Sequence, residues 1–220
     1  MITHIPSTLS QIKYIDYLFM NKIVQPYNHR IVIGKPFGSY AYYIPWFKLG
    51  LIDKTEHNNI LKHDDFEFVD YSDEVVGNSL GIASGMCLVQ NKLTWINVSD
   101  SIFQCGVFLE AAQFVGEHKQ NIKMTIDYNR MQLTSKLKGS LKMYVNILKG
   151  YGWKVKIQKN NFDFSDFEED GPCAYFMLTH KNSKDFNGIN DHYKIDNEKI
   201  NKAYKILKGY LDEKNISSNH

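Results

Sequence analysis

The sequence predicts an α/β fold, a doubly wound, mainly parallel sheet with helices on both faces. Two observations carry this. Short β-rich apolar runs alternate with longer segments of helical periodicity, and the middle of the chain reads β-α-β-α-β, the order of parallel strands joined by right-handed crossovers. The 220 residues are 43% hydrophobic and 14% aromatic. That is enough for a single domain over residues 1–220 to bury a core without disulfide staples.

Helices are expected over 8–20, 40–50 and 80–90. Thr94 to Val98 (TWINV) reads as a buried strand. Residues 106–118 (GVFLEAAQFVGEH) place apolar side chains at 107, 108, 111, 114 and 115, the spacing of one helix face. Ile122 to Ile126 (IKMTI) is the next buried strand. Ser135 to Leu148 reads as an amphipathic helix ended by Gly150 and Gly152. Trp153 to Gln158 (WKVKIQ) and Cys173 to Thr179 (CAYFMLT) read as two further buried strands. Glu198 to Leu211 closes the pattern with an apolar stripe at helical spacing. Residues 159–171 and 181–197 are polar, turn-rich loops, and the terminal EKNISSNH is a loose tail. The aromatic stretch YAYYIPWF (40–47) suits either a partner interface or a core helix.

Composition narrows the function classes. Lys and Arg number 26 against 24 Asp and Glu, a formal charge of +2. No strong field is available to attract nucleic acid or a membrane surface. Cys87, Cys105 and Cys173 are an odd, scattered set without CxxC spacing, which suits a reducing compartment. The N-terminus lacks the basic-then-apolar pattern of a signal peptide, and no run approaches 18 uncharged apolar residues. The expectation is a cytoplasmic globular protein.

The chemistry-bearing signal lies where the central strands end. Strand 94–98 runs into Ser99-Asp100-Ser101, and strand 122–126 into Asp127-Tyr128-Asn129. Neighbouring parallel strands end on one sheet edge, where α/β proteins bind ligands, so Asp100 and Asn129 should meet across the sequence gap. A carboxylate, an amide oxygen and a backbone carbonyl are hard ligands suited to Mg²⁺, with phosphate oxygens completing the shell. The same two residues also read as a helix cap and a turn residue.

Four segments extend this pattern: GNSLGIASGMCL (77–88), WINVSDSIFQCG (95–106), FLEAAQFVGEH (108–118) and IDYN (126–129). Together, residues 77–133 resemble the diphosphate-binding half of the transketolases. That family runs a glycine-rich helix into a strand ending in Gly-Asp-Gly, then Leu-Gln-Glu-Gly, a Glu-Ala helix and a strand closing on Asp-x-Asn. THIPSTLS (3–10), RIVIGKPFGSYAYY (30–43) and DHYKIDNEKINKA (191–203) are similar to the family's outer motifs. The resemblance implies the thiamine diphosphate-binding fold with thiamine diphosphate and Mg²⁺ as cofactors. It implies Asp100, Asn129 and the Met131 carbonyl as metal ligands, with the backbone at Ser99 and Ser101 near the diphosphate and His192 in contact with it. It implies that Glu110 joins a proton network across a dimer and that His4 orients a sugar substrate. Transketolases carry further domains, and some members are split. The chain therefore resembles the N-terminal subunit of a split enzyme that needs a pyrimidine-domain partner, as a dimer or an α₂β₂ assembly. Such an enzyme transfers a two-carbon ketol unit to a sugar or modified sugar.

Several positions depart from the family pattern. Serines 99 and 101 replace glycines that let backbone approach phosphate. Cys105 stands for a glutamate and reads as a buried structural thiol. Phe37 stands for a histidine, with Lys35 nearby as a substitute point charge. His63 is the nearest candidate for a missing loop histidine, and DEVVG (73–77) replaces the loop that meets the cofactor rings. These changes leave two other readings open. One is a degenerate, non-catalytic regulatory or scaffolding subunit, and the other a related thiamine diphosphate-dependent decarboxylase or carboligase.

Overall fold

The computed structural model describes residues 4–53, 61–90, 92–132, 135–159, 161–181 and 196–212. The strands are β1 (Arg30–Ile33), β2 (Tyr71–Ser72), β3 (Thr94–Ser99), β4 (Ile122–Tyr128), β5 (Met131–Gln132), β6 (Ser135–Lys136), β7 (Lys154–Gln158) and β8 (Cys173–Leu178). Six of them form one sheet in the order β2-β1-β3-β4-β8-β7, with every pairing parallel. β5 and β6 pair antiparallel beside it. The helices are α1 (Ile5–Met20), α2 (Tyr40–Lys48), α3 (Ser79–Gln90), α4 (Gly106–Glu117), α5 (Leu141–Gly150) and α6 (Asn197–Asp212).

Strand side chains alternate between the two faces. Ile31, Ile33, Trp95, Tyr175 and Met177 pack with Tyr14, Leu18 and Phe19 of α1 and Tyr42 and Trp46 of α2. Val32, Ile96, Val98, Met124, Ile126 and Phe176 pack with Leu80 of α3, Phe108 and Ala112 of α4 and Tyr144 and Leu148 of α5. The expected arrangement, a parallel sheet with helices on both faces, is the one observed. α6 lies outside α1 and α2, burying Ala203 and Leu207 against Ile12, Ala41 and Ile44.

Three expectations need correction. The helix expected over Ser135–Leu148 begins at Leu141, because Ser135 and Lys136 pair with Met131 and Gln132 as a strand. Gly139 takes a φ of +99°, a conformation that side-chain-bearing residues rarely adopt, and Ser140 caps the helix by accepting from the Met143 N–H. Strand 153–158 is only partly buried: β7 is a sheet edge, with Lys154 and Ile157 exposed while Trp153 and Gln158 are buried. β1 and β2 were not expected as strands, being four and two residues long. The YAYYIPWF ambiguity resolves toward the core, since Tyr42, Tyr43 and Trp46 are fully buried. Among the described residues, no helix is long and apolar enough to cross a membrane.

Inside the α1–α2 face runs a polar network on Asn97 of β3. Its carbonyl oxygen accepts from Tyr14 Oη at 3.0 Å and Thr125 Oγ1 at 2.8 Å, and its amide donates to Gln11 Oε1 at 3.1 Å. Gln11 in turn donates to the Phe37 carbonyl at 3.0 Å. A satisfied buried network of this kind fixes one arrangement of the elements it joins. Here it anchors α1 and the segment after β1, both of which lead into the cleft described next.

Candidate active site

Because the sheet is parallel, β1, β3, β4 and β8 all release the chain at the same edge. β1 and β3 lie side by side while the chain leaves them toward opposite sides of the sheet, a topological switch point where such folds hold ligands. A cleft of about 470 Å³ opens there. Lys35 and Phe37 follow β1, Ser99 and Ser101 flank the end of β3, Asn129 and Met131 follow β4, and Lys181 follows β8. All of them line the cleft, together with Ser7 near the start of α1.

Asp100 and Asn129 come to neighbouring strand ends, as the sequence implies. The Asp100 carboxylate does not cap a helix. It is fully buried, and its Oδ2 accepts the Arg130 backbone N–H at 2.6 Å. Arg130 reaches it from a left-handed conformation, φ +63°. The other oxygen, Oδ1, is buried with no hydrogen-bond partner among the described residues. Burial raises the Asp100 pKa to about 6, against the Arg130 N–H, Lys35 and Lys181, which favour the charged form. Asn129 does form a turn, its Oδ1 accepting the Met131 N–H at 3.0 Å. An amide oxygen carries a second lone pair, which that bond leaves open. The Ser99 and Ser101 hydroxyls lie 2.6 Å apart and bond to each other beside Asp100.

Asp127, two residues before Asn129, was not singled out from sequence, yet its carboxylate takes four side-chain partners at this edge. It is fully buried and accepts from Ser10 Oγ at 2.7 Å, from Asn129 Nδ2 at 2.9 Å, from Thr179 Oγ1 and from the Lys35 ammonium. Burial and the nearby Lys181 lower the Lys35 pKa, with the Asp100 carboxylate opposing them, and Asp127 is its ion-pair partner. One carboxylate thus ties α1, β1, β4 and β8 together below the cleft. Its partners lie 2, 52, 92 and 117 residues away, so only the Asn129 bond was within reach of a local reading. Lys181 was missed for the same reason.

Other expected site residues fall around this centre. His4 sits at the start of α1 in a left-handed conformation, its ring 4.8 Å from the ring of Phe37. Burial and Lys181 lower its pKa. Glu110 is exposed on α4 and does not line the cleft. Cys105 lines the cleft and is half-buried, which corrects the expectation of a fully buried thiol. Val76, from the DEVVG segment, forms part of the wall. His63 stacks on Tyr71 outside the cleft. His192 lies outside the described residues.

The site's fit to a hard cation can be judged from its donors. Among the described residues, no three His, Cys, Asp or Glu side chains converge. A cation here would draw on Asp100, the Asn129 amide oxygen and backbone carbonyls, an oxygen-only set of the Mg²⁺ type. The partnerless Asp100 Oδ1 is the atom such an ion would satisfy, so the residues present fit the group.

No family model and no curated protein matches the sequence. Solved structures do resemble the fold. A transketolase from Leishmania mexicana superimposes with a TM-score of 0.64 at 13% identity, over 93% of this chain and 42% of that one. A transketolase from Campylobacter jejuni subsp. jejuni NCTC 11168 gives 0.59 at 16% identity, over 82% and 34%. A provisionally assigned thiamin diphosphate-dependent enzyme from Mycobacterium smegmatis gives 0.52 at 16%, over 76% and 31%. The class is therefore an α/β fold shared with these enzymes. Within it, the chain spans 34% and 42% of the length of the two transketolases.

Proposed function

We propose that the chain is the diphosphate-binding subunit of a thiamine diphosphate- and Mg²⁺-dependent transketolase-like enzyme, completed by a pyrimidine-domain partner. The observation that carries the reading is the buried, partnerless Asp100 oxygen beside Asn129, at the switch-point edge of a transketolase-type sheet. Asp100, Asn129 and the Met131 carbonyl would hold the metal, and the Ser99–Ser101 backbone and hydroxyls would face the diphosphate. The cofactor, when bound, supplies the electron sink through which a two-carbon ketol unit leaves one sugar and joins another. This chain's residues bind and orient: Asp127 and Lys35 fix the strand ends, while Phe37 and Val76 supply apolar lining to the cleft. His4, its ring tilted against Phe37, would orient the sugar, His192 would contact the diphosphate, and Glu110, exposed on α4, would face a second subunit. The partner's identity and the sugar acceptor belong to this proposal as well.

A second reading has one observation in its favour. The Ser99 and Ser101 hydroxyls bond to each other where the family has glycines, a feature that a degenerate, non-catalytic subunit would tolerate. One experiment separates the two. The chain is co-expressed with a pyrimidine-domain chain, and the complex is weighed by native mass spectrometry with thiamine diphosphate and Mg²⁺ in excess. Retained cofactor that is lost in Asp100→Ala and kept in Cys105→Ser supports the enzyme. Equal retention in Asp100→Ala and the parent refutes the site, and a complex without cofactor supports the degenerate subunit.

A further inference from the structure

Two lysines bracket the cleft. In the sheet order β1-β3-β4-β8, Lys35 follows the first of these strands and Lys181 the last, with Ser99, Ser101 and Asn129 between them. Both lysines are almost fully buried, 6% and 7% exposed. Their situations differ. Lys35 has spent two of its three donors, on Asp127 and on Ser10 Oγ at 3.3 Å, and keeps one. Lys181 has no hydrogen-bond or ion-pair partner among the described residues, so all three of its donors are open. The nearby carboxylate, Asp100, has its own open oxygen.

A buried cation and a buried carboxylate that influence each other without a direct bond are an expensive combination for a fold to keep. The cost is recovered by a ligand that supplies acceptors to the ammonium and hydroxyl groups. An anion with several oxygens does this. The cleft offers it the three Lys181 donors, the remaining Lys35 donor and the hydroxyls of Ser99 and Ser101. Lys181 also balances the Asp100 charge, so an anion entering the cleft does not meet an uncompensated carboxylate.

We propose that this chain by itself binds a diphosphate group directly through Lys181, with Lys35 as the second cation, and that this binding does not require a divalent metal. The proposal rests on the reading of the cleft as a diphosphate site and adds to it the residue that holds the anion and the independence from metal. Inorganic pyrophosphate is the probe, titrated calorimetrically into the chain in EDTA and again in excess Mg²⁺. The parent chain is expected to bind in EDTA, with an affinity within about tenfold of that in Mg²⁺. Lys181→Met should weaken binding in EDTA about 10- to 100-fold, the loss of charge-assisted hydrogen bonds, and Lys181→Arg should restore most of it. Circular dichroism on each variant reports folding, and the parent titration in EDTA decides the question even if Lys181→Met unfolds. Binding in Mg²⁺ only would overturn the proposal and leave the metal-dependent cofactor reading intact. Equal affinity in Lys181→Met and the parent would overturn the role of Lys181. No binding in either buffer would overturn the proposal for the isolated chain, while the cofactor reading is judged separately by retention in the complex.

Discussion

Asp100→Asn in the metal-free chain tests whether the fold carries a destabilising charge at its candidate site. Asp100 is fully buried with one oxygen unpartnered, and burial moves its pKa from 3.8 to about 6. A shift of that size corresponds to about 3 kcal/mol of differential stability between the charged and neutral forms. The folded pKa is the higher one, so between about pH 4 and 6 the native state holds a proton that the unfolded state has released. Stability from this group is therefore present at low pH and lost as pH rises through about 6. Asparagine keeps the acceptor for the Arg130 N–H and removes the charge, at the cost of about 1 kcal/mol for an unsatisfied amide. Urea unfolding in EDTA, followed by circular dichroism, should find the variant about 1–2 kcal/mol more stable than the parent at pH 7. At pH 4, where the native Asp100 is protonated, only the amide cost is left and the variant should be less stable by up to about 1 kcal/mol, so the difference changes by about 2–3 kcal/mol over that range. With a urea slope near 2 kcal/mol per M, the relative midpoint moves by about 1 M or more. A variant that is less stable than the parent by the same amount at both pH values would refute the reasoning. Stability gained by removing a site residue is the pattern expected where strain is held for function.

The Asp127 junction gives a second test. Lys35→Met leaves a fully buried carboxylate without its cation and should cost about 3–5 kcal/mol, while Lys35→Met with Asp127→Asn should cost 1–3 kcal/mol less than the sum of the single changes. Strict additivity in urea unfolding would show that the two side chains do not act as a pair. Gly116 packs α4 against the turn after α5 so closely that a Cβ would lie 1.7 Å from the Tyr151 carbonyl oxygen. Gly116→Ala should therefore lose about 3 kcal/mol, read as a Tm drop of roughly 6–12 °C, and an unchanged Tm would mean the two segments separate freely.

How much was legible in the sequence follows the range of the interactions involved. The central strands and the helices around them are written in local periodicity: TWINV, IKMTI and CAYFMLT are apolar runs long enough to stand out, and the α4 stripe has helical spacing. β1 and β2 are too short for periodicity to register; β1 becomes a strand because β3 offers it a partner, and β2 because β1 does. The segment before α5 went the other way. Its apolar pattern runs on through Leu137, but the β5–β6 pairing and the Gly139 conformation stop the helix at Ser140.

The sequence by itself determined that Asp100 and Asn129 share an edge. Strand ends are local features, and the parallel order of neighbours follows from the crossover rule. Only the tertiary structure decided what surrounds them. Asp127 collects Ser10, Lys35 and Thr179 from α1, β1 and β8, and Lys181 arrives in the cleft from the strand beside β4. Nothing in the spacing of those residues marks them as neighbours. Burial, which lifts the Asp100 pKa and leaves both lysines short of water, is likewise a property of the assembled layers and not of any segment alone.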